Sequence, residues 1–118
     1  MPALNFKTQF AEKVESREKR QTIRALRKDG RDTKTGDTLY FYTGMRTKSC
    51  RKLGAARAGG VYDIRIYQNR SVILSGVLLS HDQVKELAIA DGFPCKDDFI
   101  DFFETTHGLP FKGKLIKW

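Results

Sequence analysis

Apolar and polar positions alternate along this chain in two rhythms, and the rhythms divide it. Leu4 to Phe6 reads as a short strand. Lys7 to Ser16 reads as a helix, because Phe10, Ala11 and Val14 recur at helical spacing. Gln21 to Ala25 reads as a strand, which puts Thr22 and Arg24 on one face. Arg27 to Gly36 is a polar loop rich in turn formers. Asp37 to Tyr42 sets Thr38, Tyr40 and Tyr42 on one face and Leu39 and Phe41 on the other, the pattern of a half-buried strand. Thr43 to Leu53 reads as a second basic loop, with Arg46, Lys48, Arg51 and Lys52. Gly54 to Gly60 carries small residues and no decisive period.

The second half is easier to divide. Val61 to Tyr67 and Ser71 to Leu79 read as two strands joined at Gln68-Asn69-Arg70, an antiparallel hairpin. Ser80-His81-Asp82-Gln83 matches a capping box, in which the Ser80 and Gln83 side chains satisfy amides at a helix start. Val84, Leu87 and Ala88 give that helix an apolar face, and Gly92 ends it. A further helix runs from Lys96 to Thr106 with Phe99, Ile100, Phe102 and Phe103 inward, and Gly108 and Pro110 stop it. Leu115, Ile116 and Trp118 suggest a last strand. Aromatics at helical spacing are read as core before they are read as a binding stripe.

This order predicts one α+β domain over residues 1–118, a mixed sheet of five to six strands with three helices. Too few helices separate the strands for a parallel doubly wound fold, so a small curled sheet or barrel fits best. No apolar run approaches the roughly 20 residues of a membrane helix. Met1 to Lys7 lacks the charged-then-apolar plan of a signal peptide, which makes the cytoplasm the expected location.

Charge changes the picture more than composition does. Residues 1–60 hold 15 Lys and Arg against 6 Asp and Glu, while residues 61–118 hold 7 against 8. The excess lies between Arg17 and Arg57. A concentrated basic stretch on an otherwise neutral domain is the footprint of an anionic partner, most often nucleic acid. An acidic membrane would suit the charge too, but no basic amphipathic helix with bulky apolar anchors accompanies it. Cys50 and Cys95 form no CxxC pair, and with His81 and His107 scattered they give no metal-site spacing. Neither a metal nor a cofactor is expected. Lys48, Arg51 and Lys52 around Cys50 would favour a thiolate, yet no base is identifiable, so free thiols are the plainer reading.

The densest chemistry sits at Lys19, Thr22 and Arg24: an amine, a hydroxyl and a guanidinium within six positions. Such a face suits a phosphate or a nucleobase edge. The bland alternative is a solvated basic turn.

Three segments carry a resemblance to a known family. Lys19-Arg20-Gln21-Thr22-Ile23-Arg24 matches the signature G-x-K-x-x-T-x-R from its Lys onward. Lys34-Thr35-Gly36-Asp37-Thr38-Leu39 matches the pattern K-x-G-D-x-L. Ala90-Asp91-Gly92-Phe93 followed by Asp98-Phe99 is similar to A-(E/D)-G-F…(E/D)-F. In this order the chain resembles ASCH-domain proteins, small members of the PUA-like β-barrel superfamily. The signature's Gly is Arg17 here, and the acidic position, often Glu, is Asp91.

The resemblance implies a PUA-like barrel with a cleft between the signature strand and the acidic helix end. It implies that Lys19, Thr22, Arg24 and Asp91 meet there; the physical expectation is then that Thr22, both donor and acceptor, sits between the Lys19 ammonium and the Asp91 carboxylate. The resemblance also implies binding of RNA, another nucleic acid or a modified nucleoside. Some small bacterial relatives are amidohydrolases acting on N(4)-acetylcytidine. By resemblance to them, Lys19 would be proton acceptor, Thr22 nucleophile and Asp91 proton donor.

A binding module needs charge outside the cleft. Arg27 to Lys34 and Arg46, Lys48, Arg51 and Lys52 would then grip phosphates, with Tyr40 or Tyr42 stacking on bases. An enzyme needs a closed pocket for one nucleoside and little peripheral charge. The basic first half favours the binding module and leaves the question of catalysis open. A structural or accessory role is the third class.

Overall fold

Eight strands and three helices follow one another in the computed structural model, which describes residues 3–26 and 32–118. In chain order they are β1 (Ala3–Phe6), α1 (Thr8–Glu15), β2 (Gln21–Ala25), β3 (Thr38–Thr43), β4 (Arg51–Arg57), β5 (Gly60–Ile66), β6 (Val72–Leu74), β7 (Val77–Leu78), α2 (His81–Ala90), α3 (Lys96–His107) and β8 (Phe111–Lys117). Of the expected loop from Arg27 to Gly36, residues 27–31 lie outside the described residues.

The strands pair into two sheets. One has three strands in the order β1-β3-β4, with β1 parallel to β3 and β3 antiparallel to β4. The other has five antiparallel strands in the order β2-β8-β5-β6-β7. The α+β class with three helices is as expected. The five-to-six-strand barrel is not: among the described residues there are eight strands in two sheets, and no closed barrel is found.

Two local causes account for the extra strands. Residues 51–57 form β4, whereas the sequence pattern gives Arg51 to Leu53 as loop and no decisive element from Gly54 onward. Gly54-Ala55-Ala56 has weak intrinsic strand preference, and the pairing to β3 supplies what propensity does not. A bulge at Phe41/Tyr42 further breaks its alternation. The expected strand from Ser71 to Leu79 is two strands, because Ser75 and Gly76 turn the chain at φ 50° and 80°. The last strand also begins earlier than its apolar residues suggested, at Phe111.

Leu39, Ile64, Phe99, Phe103 and Leu115 are buried at the centre of one core that joins both sheets to the helices. Both halves of the Ser80/Gln83 capping box are formed, with Ser80 Oγ accepting from the Gln83 amide at 3.2 Å. None of the described helices is long and apolar enough to cross a membrane.

Candidate functional site

The connector from α1 to β2 sets up the site. After α1, Arg17 takes φ 67°, the left-handed conformation that favours glycine. Its amide donates to the Val14 carbonyl at 3.1 Å, and the Lys19 amide donates to Lys13 at 2.9 Å. These bonds close the helix end and turn the chain sharply, which delivers Lys19 inward. The position where the signature has Gly thus keeps a glycine-like backbone while carrying Arg.

Lys19 is 2% exposed and Asp91 4% exposed. Lys19 Nζ donates to the Asp91 carbonyl at 2.5 Å and to Asp91 Oδ1 at 3.0 Å. Gln21 Nε2 lies 3.5 Å from the same Oδ1. Asp91 is the C-cap residue of α2, and Gly92 beside it has φ 96°. A Cβ at Gly92 would stand 3.0 Å from the Phe10 ring and 3.5 Å from Lys19 Cδ. Only a glycine lets the α2 end come this close to α1 and Lys19.

Thr22 and Arg24 follow on β2, with Arg24 Cζ 4.8 Å from the centre of the Phe6 ring. Arg24 Nε is buried without a hydrogen-bond partner. Lys19, Thr22, Arg24 and Asp91 all border one cavity of about 250 Å³. Much of the remaining wall is aromatic, with Phe6 from β1, Phe10 from α1, Phe93 after α2, and Phe102, Phe103 and His107 from α3, beside Asn5, Lys7 and Thr106.

Electrostatics at the floor are strained. Burial pulls Lys19 below its ordinary pKa, against the attraction and hydrogen bond of Asp91. Burial pushes Asp91 above the usual carboxylate value, against the same pair and the Gln21 amide. Burial lowers Arg24 to about 10, with Asp91 opposing. Each group is drawn toward its neutral form by desolvation and back toward charge by its neighbours.

The family resemblance implied that Lys19, Thr22, Arg24 and Asp91 share one cleft, and all four border this cavity. The structure does not put Thr22 between Lys19 and Asp91, which bond each other directly. Tyr40, Tyr42, Arg46, Lys48, Arg51 and Lys52 do not border the cavity. They belong to β3, β4 and the turn between them. Arg51 reaches back to Glu15 of α1 at 2.6 Å. Both cysteines are exposed and free. No group of three or more His, Cys, Asp or Glu suited to a metal gathers among the described residues.

Sequence reasoning missed the aromatic wall. Phe102 had been read as core, and it is half-buried on the cavity side with Lys7 Nζ 4.8 Å from its ring. Gln21 was missed too, although its place between Lys19 and Thr22 was the available signal.

Fold and site together define a small α+β domain with an aromatic-walled cavity, polar at the Lys19–Asp91 floor, at the junction of β1, β2 and the three helices. No family model matches the chain, and no curated protein or solved structure matches it either.

Proposed function

We propose that this chain is a cytoplasmic RNA-binding module of the ASCH kind within the PUA-like group, whose cavity receives one base, plain or modified. The observation that carries this reading is the Arg24 guanidinium. Its Nε is buried with no partner beside a cavity walled by phenylalanines. Buried polar groups in folded proteins are nearly always satisfied, so an orphan donor at a cavity is a place for a ligand's acceptor. Aromatic walls suit a planar ring, and nucleobases carry acceptors in the ring plane, a carbonyl oxygen in cytosine, uracil and guanine. The volume is below the ~300–1,000 Å³ of ordinary small-molecule sites, which fits one ring system rather than a longer ligand.

A second reading, an amidohydrolase acting on N(4)-acetylcytidine-type nucleosides, draws on the meeting of Lys19, Thr22 and Asp91 at one cavity. Lys19 is shifted toward the neutral amine and Asp91 toward the neutral acid, the forms a proton acceptor and a proton donor need. In that reaction the Thr22 hydroxyl attacks the acetyl carbonyl while Lys19 takes its proton. Asp91 protonates the departing cytidine amine, and water then releases acetate from Thr22.

Calorimetric titration with cytidine, N(4)-acetylcytidine and a short single-stranded RNA tests both. Binding that is lost in Arg24→Leu, without turnover, supports recognition. Release of acetate, abolished in Thr22→Val, supports the enzyme. No binding of any of the three ligands by the wild-type chain would sink the cavity reading.

A further inference from the structure

The three-stranded sheet has a second face that meets the cavity at its edge, through Asn5. Leu4 and Phe6 of β1, Leu39 and Phe41 of β3 and Leu53 of β4 are buried on the inner side. Helix α1 packs against all three strands, and Arg51 turns to its Glu15. The alternating positions point the other way. Tyr40 and Tyr42 are half-buried there, and Lys52 and Arg57 are exposed. Lys52 pairs with Tyr42 across the ladder, and its Nζ sits 5.4 Å from the centre of the Tyr40 ring. Arg46 and Lys48 are exposed in the turn that joins β3 to β4. The sequences of β1, β3 and β4 contain no Asp or Glu at all.

Asn5 borders the cavity and is in register with Tyr42 on the neighbouring strand. One strand spacing, about 4.8 Å, therefore separates the cavity rim from the first tyrosine.

We propose that the outer face of the three-stranded sheet is a stacking platform for single-stranded RNA. Tyr40 and Tyr42 hold two bases, and Lys52 and Arg57 hold phosphates beside them. The chemistry requires a partner that presents flat apolar faces and negative charge in alternation, which single-stranded nucleic acid does. Stacking needs bases that are free of a duplex, and the strands themselves carry cations and no carboxylate to repel a phosphate. The choice of RNA rests on the cavity reading above; the platform itself rests on the sheet.

The test is fluorescence anisotropy with a labelled ten-nucleotide single-stranded RNA and its duplex form, alongside calorimetry with cytidine to read the cavity. Two stacked bases predict that Tyr40→Ala/Tyr42→Ala weakens the single strand by about 30-fold or more. Tyr40→Phe/Tyr42→Phe retains the rings and should stay within about three-fold of wild type. Lys52→Ser/Arg57→Ser should reduce the salt slope by about one to two units. Cytidine binding should be unchanged in all three. Wild-type affinity in the double alanine variant, equal loss in the phenylalanine variant, or duplex bound as tightly as single strand would overturn the platform. RNA binding lost in the alanine pair while Arg24→Leu leaves cytidine binding intact would keep the platform and remove the cavity reading. Cytidine bound by the wild type with RNA bound no better would do the reverse.

Discussion

Lys19 Nζ lies 3.0 Å from Asp91 Oδ1, and the two residues are 72 positions apart and almost wholly buried. Two charges in an apolar setting lose hydration, and their mutual attraction repays that loss only when geometry is good and the remaining donors and acceptors are met. Here the Asp91 carbonyl takes one Lys19 proton and Gln21 supports the carboxylate. The pair thus fastens the end of α2 to the connector before β2, and it fixes the floor of the cavity.

Breaking the pair on one side should cost more than removing it. Lys19→Met leaves an uncompensated buried carboxylate and should destabilise the domain by about 3–5 kcal/mol. The double variant Lys19→Met/Asp91→Leu should recover most of that loss, since apolar replacement of a buried pair is often neutral. Urea denaturation of the single and double variants checks this. A double variant as unstable as the sum of two singles would mean that the pair is not coupled.

Asp91 gives stability a pH dependence whose sign follows from its burial. Asp91 has its folded pKa raised above 3.8, mainly by burial. The native state therefore keeps a proton that the unfolded chain has already lost. Its contribution is fully present below the unfolded value and fades as pH rises through the raised one. Asp91→Asn cannot titrate, so the stability of wild type relative to Asp91→Asn should fall as pH rises above about 4, the unfolded carboxylate value. Denaturation midpoints across that range decide it, and a difference that grows with pH would refute the sign.

Arg17 is the place where local sequence and backbone disagree. A non-glycine residue at φ 67° carries a steric cost of about 1 kcal/mol. Arg17 is also exposed, so little packing depends on its side chain. Arg17→Gly should leave the turn unchanged and alter stability by less than about 1 kcal/mol, with gain favoured over loss. A loss larger than that would show that the Arg17 side chain itself holds the turn.

How far these relationships were legible in the sequence depends on what each one rests on. β2 was legible to the residue, and so were the capping box at Ser80 and the faces of α2, because each rests on local periodicity or local hydrogen bonding. β4 was not, because Gly54, Ala55 and Ala56 carry no local signal and owe their conformation to the partner strand. Convergence of Lys19 and Asp91 was not visible in spacing either; only motif resemblance suggested it. The aromatic wall stayed hidden for a further reason. One helical period serves both a core face and a cavity wall, so Phe99 and Phe102 look alike until the neighbouring elements are placed.

Gly92 makes the approach of α2 to α1 possible. A methyl group there meets the Phe10 ring at 3.0 Å in a backbone conformation, φ 96°, that side chains rarely adopt. Gly92→Ala should therefore destabilise by about 1–3 kcal/mol, through strain and through a widened Lys19–Asp91 contact. Thermal unfolding measures the loss. Stability equal to wild type would mean that the α2 end yields without cost.

Phe102 and Phe103 are adjacent in sequence and both border the cavity, but Phe103 is buried in the core behind it while Phe102 is half-buried, so truncation should weigh on stability at Phe103 and on binding at Phe102. Phe103 is 2% exposed and touches Phe99 and Phe111 in the core, with ring centroids 5.2 and 4.8 Å away. Its truncation to Ala should cost about 3–5 kcal/mol, because a close-packed site collapses only partly around the void. Phe102 is half-buried, lies against Phe93 and Phe10, and faces the cavity. Phe102→Ala removes less buried surface, so its stability loss should be under about 2 kcal/mol. It also opens the cavity wall, so cytidine affinity should fall by about tenfold, the loss of one ring contact. Chemical denaturation and calorimetry on the two variants give a two-by-two outcome. Stability lost at Phe103 with binding lost at Phe102 supports the division between core and wall. If Phe102→Ala binds cytidine as wild type does, the aromatic wall is not a recognition surface.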